Sequence, residues 1–236
     1  MKFFVGTSGY AYKEWKGSFY PEKIKPAEML PYYAERFAAV EINNTFYRMP
    51  DAATVESWTG QVPASFRFVL KAPQTITHRK RLRNVEEETE QFLTTSEVLK
   101  KRRGPLFFQL PPNFKKDLPR LTDFLAVIGK QADVAFEFRH ESWFDDETYE
   151  VLREHRCALC WADADDTPEP PLVATAGWGY IRLRRAEYTK KQLATWVERF
   201  RKQEWKEASI FFKHEETGTG PKFGAQLLEL LELLDK

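Results

Sequence analysis

Residues 85–110 read VEEETEQFLTTSEVLKKRRGPLFFQL, and the order of events in this stretch sets the fold. Val85 to Lys101 is a long helical pattern without Gly or Pro, Gly104-Pro105 stops it, and Leu106 to Leu110 is a short apolar run. A helix, a stop and a strand apolar on both faces form the repeating unit of a parallel sheet covered by helices.

The same unit recurs in both directions. The predicted strands are Lys2 to Gly6, Ala39 to Asn43, Arg67 to Lys71, Leu106 to Leu110, Val134 to Arg139, Ala158 to Asp163, Gly179 to Leu183 and Ser209 to Lys213. Helical patterns lie at Ala27 to Phe37, Ala52 to Thr59, Val85 to Lys101, Leu118 to Ile128, Asp145 to Glu154, Lys190 to Gln203 and Phe223 to Leu234, with Asp51 and Thr189 as N-caps. The connection from Asp165 to Ala176 holds Pro168, Pro170 and Pro171 and reads as a loop. Eight strands in a chain of 236 residues predict a closed α/β barrel, a (β/α)8 TIM-type barrel spanning residues 1–236 as a single domain. The rival is an open doubly wound sheet, whose Gly-x-Gly-x-x-Gly turn is missing here, since Gly6-Thr7-Ser8-Gly9 lacks the third glycine.

Lys plus Arg number 36 against 35 Asp plus Glu, so no global field draws the chain to nucleic acid or to an anionic membrane. The start, Met1 to Gly6, lacks the apolar stretch of a secretory signal, and no run reaches membrane-spanning length. Two cysteines make no disulfide framework, which leaves the cytoplasm as the default. Cys157 and Cys160 lie three apart on a strand, hence on opposite faces, and read as buried inert thiols rather than as a redox or zinc motif.

Gly6-Thr7-Ser8-Gly9-Tyr10, Phe19-Tyr20-Pro21, Tyr33-Ala34, the block from Val40 to Pro50, Thr77-His78, Gln109-Leu110-Pro111-Pro112 and the block from Glu137 to Trp143 together resemble the YecE-like proteins, a domain family of unknown function. The resemblance implies a TIM-type barrel. It also implies a likeness of fold to endonuclease IV and xylose isomerase, and so, by analogy, phosphodiester or sugar chemistry. In the last third, Arg184-Arg185 stands where the family tends to have His-Gly, and Lys213-His214-Glu215-Glu216 replaces an Asn-Asp-like segment.

Alternation along strands groups Glu41 with Asn43, Val69 with Lys71, Phe107 with Gln109, Glu137 with Arg139, Trp161 with Asp163, and Tyr180 with Arg182 and Arg184. Polar groups thus recur at the C-terminal strand ends, where barrel enzymes work. Glu41 and Glu137 are the expected acid/base or orienting carboxylates, and Lys71, Arg139 and Arg182 stabilise negative charge. The expected ligand contacts are Thr7, Ser8, Tyr10, Asn43, Tyr47, His78, Gln109, His140, Trp143, Asp163, Arg184, Lys213 and Gly218. A structural salt-bridge network is the alternative account of the charged set, although several buried charges cost more than Leu or Val would.

The ligand class this suggests is a phosphorylated or otherwise anionic molecule, and the turn Thr217-Gly218-Thr219-Gly220-Pro221 offers backbone N–H groups for phosphate. Hydrolysis of a phosphoester is the leading reaction. Its rivals are a non-catalytic nucleic-acid-binding module using the run His78 to Arg83 with the loop aromatics Tyr10, Tyr12, Trp15, Phe46, Tyr47 and Trp143 as a stacking rim, and metal-free sugar-phosphate isomerase or lyase chemistry. No cofactor is expected. His78, His140 and His214 with Glu41, Glu137 and Asp163 allow a single divalent metal at most, and Ser8 lacks the nucleophile elbow. Nothing in the sequence sets an oligomeric state.

Overall fold

The computed structural model describes residues 1–165, 171–213 and 218–233. Its strands are β1 (Lys2–Ser8), β2 (Ala39–Ile42), β3 (Arg67–Lys71), β4 (Arg103–Gln109), β5 (Val134–Glu137), β6 (Ala158–Asp163), β7 (Gly179–Leu183) and β8 (Glu207–Phe212). Each pairs in parallel with the next, and β1 returns to β8 through Lys2–Glu207 to Thr7–Phe212. The ring is closed. The open-sheet alternative is thereby excluded, and the barrel read from the strand count stands.

The helices are α1 (Pro26–Ala34), α2 (Asn44–Tyr47), α3 (Ala52–Thr59), α4 (Glu86–Glu97), α5 (Leu118–Ile128), α6 (Asp146–Glu154), α7 (Lys190–Arg201) and α8 (Thr219–Leu233). Their starts follow from side-chain caps: Asp51, Asp117, Asp145 and Thr189 each accept a hydrogen bond from a backbone N–H three residues on. None of these helices is long and apolar enough to cross a membrane.

Two boundaries depart from the sequence reading for identifiable reasons. Gly104 and Pro105 do not precede β4 but lie inside it, because the β3–β4 register shifts between Phe68 and Leu70, whose partners are Arg103 and Leu106. The irregularity absorbs a proline that has no N–H to give the ladder. Thr219, Gly220 and Pro221, expected in a phosphate-binding turn, already belong to the first turn of α8. Of the Pro-rich connection after β6, residues 166–170 lie outside the described residues; 171–178 carry no helix.

The apolar core has two compartments. The larger lies between sheet and helices and includes Val40, Phe68, Leu70, Phe108, Phe136, Ile181 and Ile210. Phe223, Leu227, Leu230 and Leu231 of α8 join it; Leu234 falls outside the described residues. The smaller fills the barrel interior with Phe4, Ala39, Val69, Phe107, Ala135, Ala158, Cys160, Tyr180 and Phe211. Cys157 packs in the outer compartment and Cys160 in the inner, both as buried free thiols, as their spacing on a strand requires.

The junction of β1 and β2 has no spare room. A methyl group on Gly6 would lie 1.9 Å from the carbonyl oxygen of Ala39 and 2.9 Å from the Tyr33 hydroxyl. That hydroxyl accepts from the Thr7 N–H and donates to the Ala39 carbonyl, tying α1 to both strands. Gly6→Ala is therefore expected to destabilise the fold by about 3 kcal/mol or more, the upper end of overpacking costs, as read by denaturant unfolding. A loss below about 1 kcal/mol would show that the strands can separate there at little cost.

Candidate functional site

Above the interior apolar compartment, the strands place a layer of polar side chains. Ser8, Glu41, Lys71, Gln109, Glu137 and Arg182 come from β1, β2, β3, β4, β5 and β7, and all are buried. Each lies two residues beyond an interior position or shares its alternation, so the pleat turns them to the axis.

Arg182 is the hub. Its Nη1 donates to Glu137 Oε2 at 2.6 Å and its Nη2 to Glu41 Oε1 at 2.9 Å. Glu41 also accepts from Ser8 Oγ at 2.6 Å and, through Oε2, from the Tyr180 hydroxyl at 2.5 Å. Glu137 Oε1 accepts from Gln109 Nε2 at 2.7 Å and Arg139 Nε at 3.0 Å. Gln109 Oε1 in turn accepts from Lys71 Nζ at 3.0 Å. Below, the Arg182 guanidinium sits 4.7 Å from the centroid of the Phe107 ring, and Phe107 stacks on Tyr180 at 4.9 Å with planes 7° apart.

These contacts decide the charge states. Burial alone would raise the carboxyl pKa of Glu41, but Arg182 and the hydrogen bonds from Ser8 and Tyr180 hold it below the usual carboxylate range. Glu137, likewise buried, is pushed well below that range by Arg182, Arg184 and Arg139. Both are ionised, and every one of their four oxygens already accepts a hydrogen bond. They are anchors for cations, and poor bases.

Lys71 behaves oppositely. Burial, with Arg182 nearby, lowers its amine to about 7, against the raising influence of Glu41 and Glu137. Among the described residues it makes no ion pair; its partners are the Gln109 carbonyl oxygen and the face of Phe46, 4.3 Å from Nζ to the ring centroid. His78 stands edge-on to the same Phe46 ring, and its Nδ1 lies 2.8 Å from Thr77 Oγ1. Burial and then Lys71 lower its imidazole to about 4, so it is neutral at physiological pH. A single π-helical turn, Thr75–Arg79, presents it, followed by left-handed backbone at Arg81, Leu82 and Asn84. Such turns and such backbone concentrate where function constrains a chain.

Arg139 and Arg184 complete the cationic surround. Arg139 is partly exposed, and the Arg184 side chain, 13% exposed, comes no closer to Glu137 than 3.8 Å. The Nε groups of Arg182 and Arg184 and the side-chain oxygen of Asn43 are buried and have no partner among the described residues. Native structures rarely strand buried polar atoms in this way.

The other expected contacts are dispersed. Asp163 shares its parity with Trp161 on the outer face of β6, where it accepts from Arg185 Nε, the Tyr188 hydroxyl and Trp196 Nε1. It supports α7 instead of the barrel mouth. Thr7 also faces outward and donates to the Gly9 carbonyl. Trp143 is wholly buried, stacked on Phe138 and donating to the Phe114 carbonyl, while His140 caps the turn Glu141–Trp143. Tyr10 and Asn43 line a cleft of about 340 Å³ with Gly9, Tyr12, Arg48 and Trp58, which none of the charged layer lines. Tyr47 is 74% exposed. Gly218, with positive φ, packs against Ser18, and exposed Lys213 follows β8. His214, Glu215, Glu216 and Thr217 lie outside the described residues. In the basic run, Lys80 pairs with Glu88 and Leu82 is buried in the core. Among the described residues no three His, Cys, Asp or Glu side chains gather as a metal site.

Sequence reasoning leaves Tyr180 and Phe107 out of the site, although parity groups them with Arg182 and Gln109, and it reads Phe46 only as one of the loop aromatics that could stack a base or sugar, where the structure sets its ring against Lys71 and His78.

A family model described as "Protein of unknown function DUF72" matches residues 4–236. UPF0759 protein YecE of Escherichia coli K12 is 36% identical over 113 residues, which span 48% of this chain and 42% of YecE, less than half that relative's length. UPF0759 protein YunF of Bacillus subtilis is 25% identical over 98% of this chain and 95% of its own. Among solved structures, a DUF72 family protein of Thermotoga maritima superposes with a TM-score of 0.83 at 27% identity, covering 100% of both chains. One from Enterococcus faecalis reaches 0.79 at 20% identity, over 98% of this chain and 95% of its own.

Replacing the hub isolates its two anchors. Arg182→Met is expected to cost about 3–5 kcal/mol in unfolding free energy near neutral pH, the penalty for stranding buried charge. Because both carboxyls are depressed in the folded state, the unmodified protein loses stability as pH falls below their ordinary value of 4.5, where the unfolded chain takes up protons first. In Arg182→Met that acid loss should flatten; an equally steep loss would place its origin elsewhere.

Proposed function

This chain belongs to the DUF72 family, and from the polar layer of its barrel we propose that it binds a small phosphate- or carboxylate-bearing ligand at the C-terminal mouth. One observation carries the reading. Arg139, Arg182 and Arg184, joined by Lys71 when it is protonated, outnumber Glu41 and Glu137, and among the described residues the one ion pair of Arg184 is a 3.8 Å contact to Glu137. A cation excess in a low-dielectric pocket is a standing attraction for an anion. The orphaned Nε groups of Arg182 and Arg184 point the same way, as donors without acceptors among the described residues.

The layer also favours one kind of chemistry over another. Hydrolytic attack on a phosphoester needs a group to activate water, and the oxygens of Glu41 and Glu137 are committed to Arg, Gln, Ser and Tyr donors. Lys71 has an amine that changes charge near neutrality, so it is the group suited to move a proton. Metal-free isomerase or lyase chemistry on a phosphorylated or carboxylated small molecule fits this arrangement better than hydrolysis does. Glu41 and Glu137 then serve as positioning residues.

Sulfate tests the reading, because it does not titrate in the relevant range. Lys71 faces Arg182, Glu41, Glu137, Arg139 and the neutral His78, and it is protonated below about 7. Sulfate affinity measured calorimetrically is therefore expected to fall as pH rises through about 7, and Lys71→Met should abolish that dependence. Arg184→Ala should weaken binding about tenfold or more, the equivalent of one charge-assisted hydrogen bond. Affinity untouched by Arg184→Ala would remove the mouth as the anion site.

A further inference from the structure

A buried lysine without a carboxylate partner is rare, because an ammonium ion taken from water is normally repaid by a counter-ion. Lys71 has none among the described residues. Its Nζ rests on a neutral amide oxygen and an aromatic face, with Arg182 and Arg139 among the charges that act on it. Two carboxylates stand in the same layer, yet Gln109 is interposed between Lys71 and Glu137, one end accepting from the amine and the other donating to the carboxylate. Glu41 is saturated by Ser8, Tyr180 and Arg182. The same insulation leaves Lys71 with no carboxylate to hold its proton, which a lysine that must present a lone pair requires.

We propose that Lys71 is a catalytic nucleophile that forms an imine with the carbonyl group of an anionic aldehyde, ketone or 2-oxo acid. The proposal rests on the anion-binding reading above and narrows its ligand to a carbonyl compound. The Nζ lone pair adds to the carbonyl carbon, the C=O π pair moves to oxygen, and that oxygen takes a proton from nitrogen. A proton from solvent releases the hydroxyl group as water, and the nitrogen lone pair closes a C=N bond that keeps the second nitrogen proton, the iminium form. Nothing is oxidised or reduced, and no co-reactant is consumed. Arg139 and Arg184 hold the ligand's phosphate or carboxylate. Glu41 and Glu137 provide the negative charge that stabilises the iminium form, the electron sink for breaking or making a bond next to the former carbonyl. The depressed amine of Lys71 supplies the neutral nucleophile at physiological pH.

The test uses the intact chain with glyceraldehyde 3-phosphate and, separately, pyruvate, in the presence of cyanoborohydride, followed by peptide mapping by mass spectrometry. Reduction should fix a single adduct at Lys71, at a rate that rises with pH through about 7 and is suppressed by inorganic phosphate. Unphosphorylated glyceraldehyde should label Lys71 about tenfold more slowly or less, having lost the charge-assisted contacts of the anion. Lys71→Arg, which keeps the positive charge but offers no neutral amine, should abolish the adduct. Label spread over exposed lysines without preference for Lys71, on protein that still binds sulfate, overturns the imine and leaves the anion site standing. Loss of both sulfate binding and labelling overturns the two together.

Discussion

A single guanidinium spans the interior of this barrel. Arg182 reaches from β7 to carboxylates on β2 and β5, strands that are not its neighbours in the ring, and so braces the ring across its diameter. Such a bridge is costly to build, since three charges leave water, and it holds only if every donor and acceptor is met. The arrangement comes close. Ser8, Tyr180, Gln109 and Arg139 satisfy the remaining carboxylate lone pairs, and Phe107 offers its ring face to the guanidinium. A purely apolar layer would have been simpler for stability alone.

What the bridge provides is a fixed negative foundation under a mobile proton. With both carboxylates ionised and immobilised, the cations around them are oriented and Lys71 is left near its titration point. This inverts the roles that the residue types alone suggest, in which glutamates do the proton transfer and lysine supplies charge. The inversion is an electrostatic consequence of count and position. Arg182 depresses both carboxylates, joined by Arg184 and Arg139 at Glu137 and by hydrogen bonds from Ser8 and Tyr180 at Glu41, while burial with a like charge nearby depresses the amine.

Much of the architecture was legible because strands buried on both faces are compact apolar runs with clear stops; Arg67–Lys71, Ala158–Asp163 and Gly179–Leu183 match residue for residue. Parity also grouped the right partners within each strand. Parity cannot say which group faces the axis, and so Asp163 and Thr7 were read toward the mouth although they face the helices. Trp143 looks the same in sequence whether it stacks on a ligand or on Phe138. The loop after β3 hides its geometry for another reason. Arg81, Leu82 and Asn84 adopt left-handed backbone that sequence usually announces with glycine, and none of the three is glycine. Distances between strands decide that Gln109 separates Lys71 from Glu137, and no local pattern encodes them.

The inner compartment has a further consequence for traffic. Phe4, Val69, Phe107, Tyr180 and Phe211 are all but inaccessible to solvent, so the barrel is stoppered directly beneath its charged layer. Any molecule that reaches Arg182 must therefore come from the C-terminal side of the strands. The far end of the barrel is thereby insulated from whatever happens at the near end.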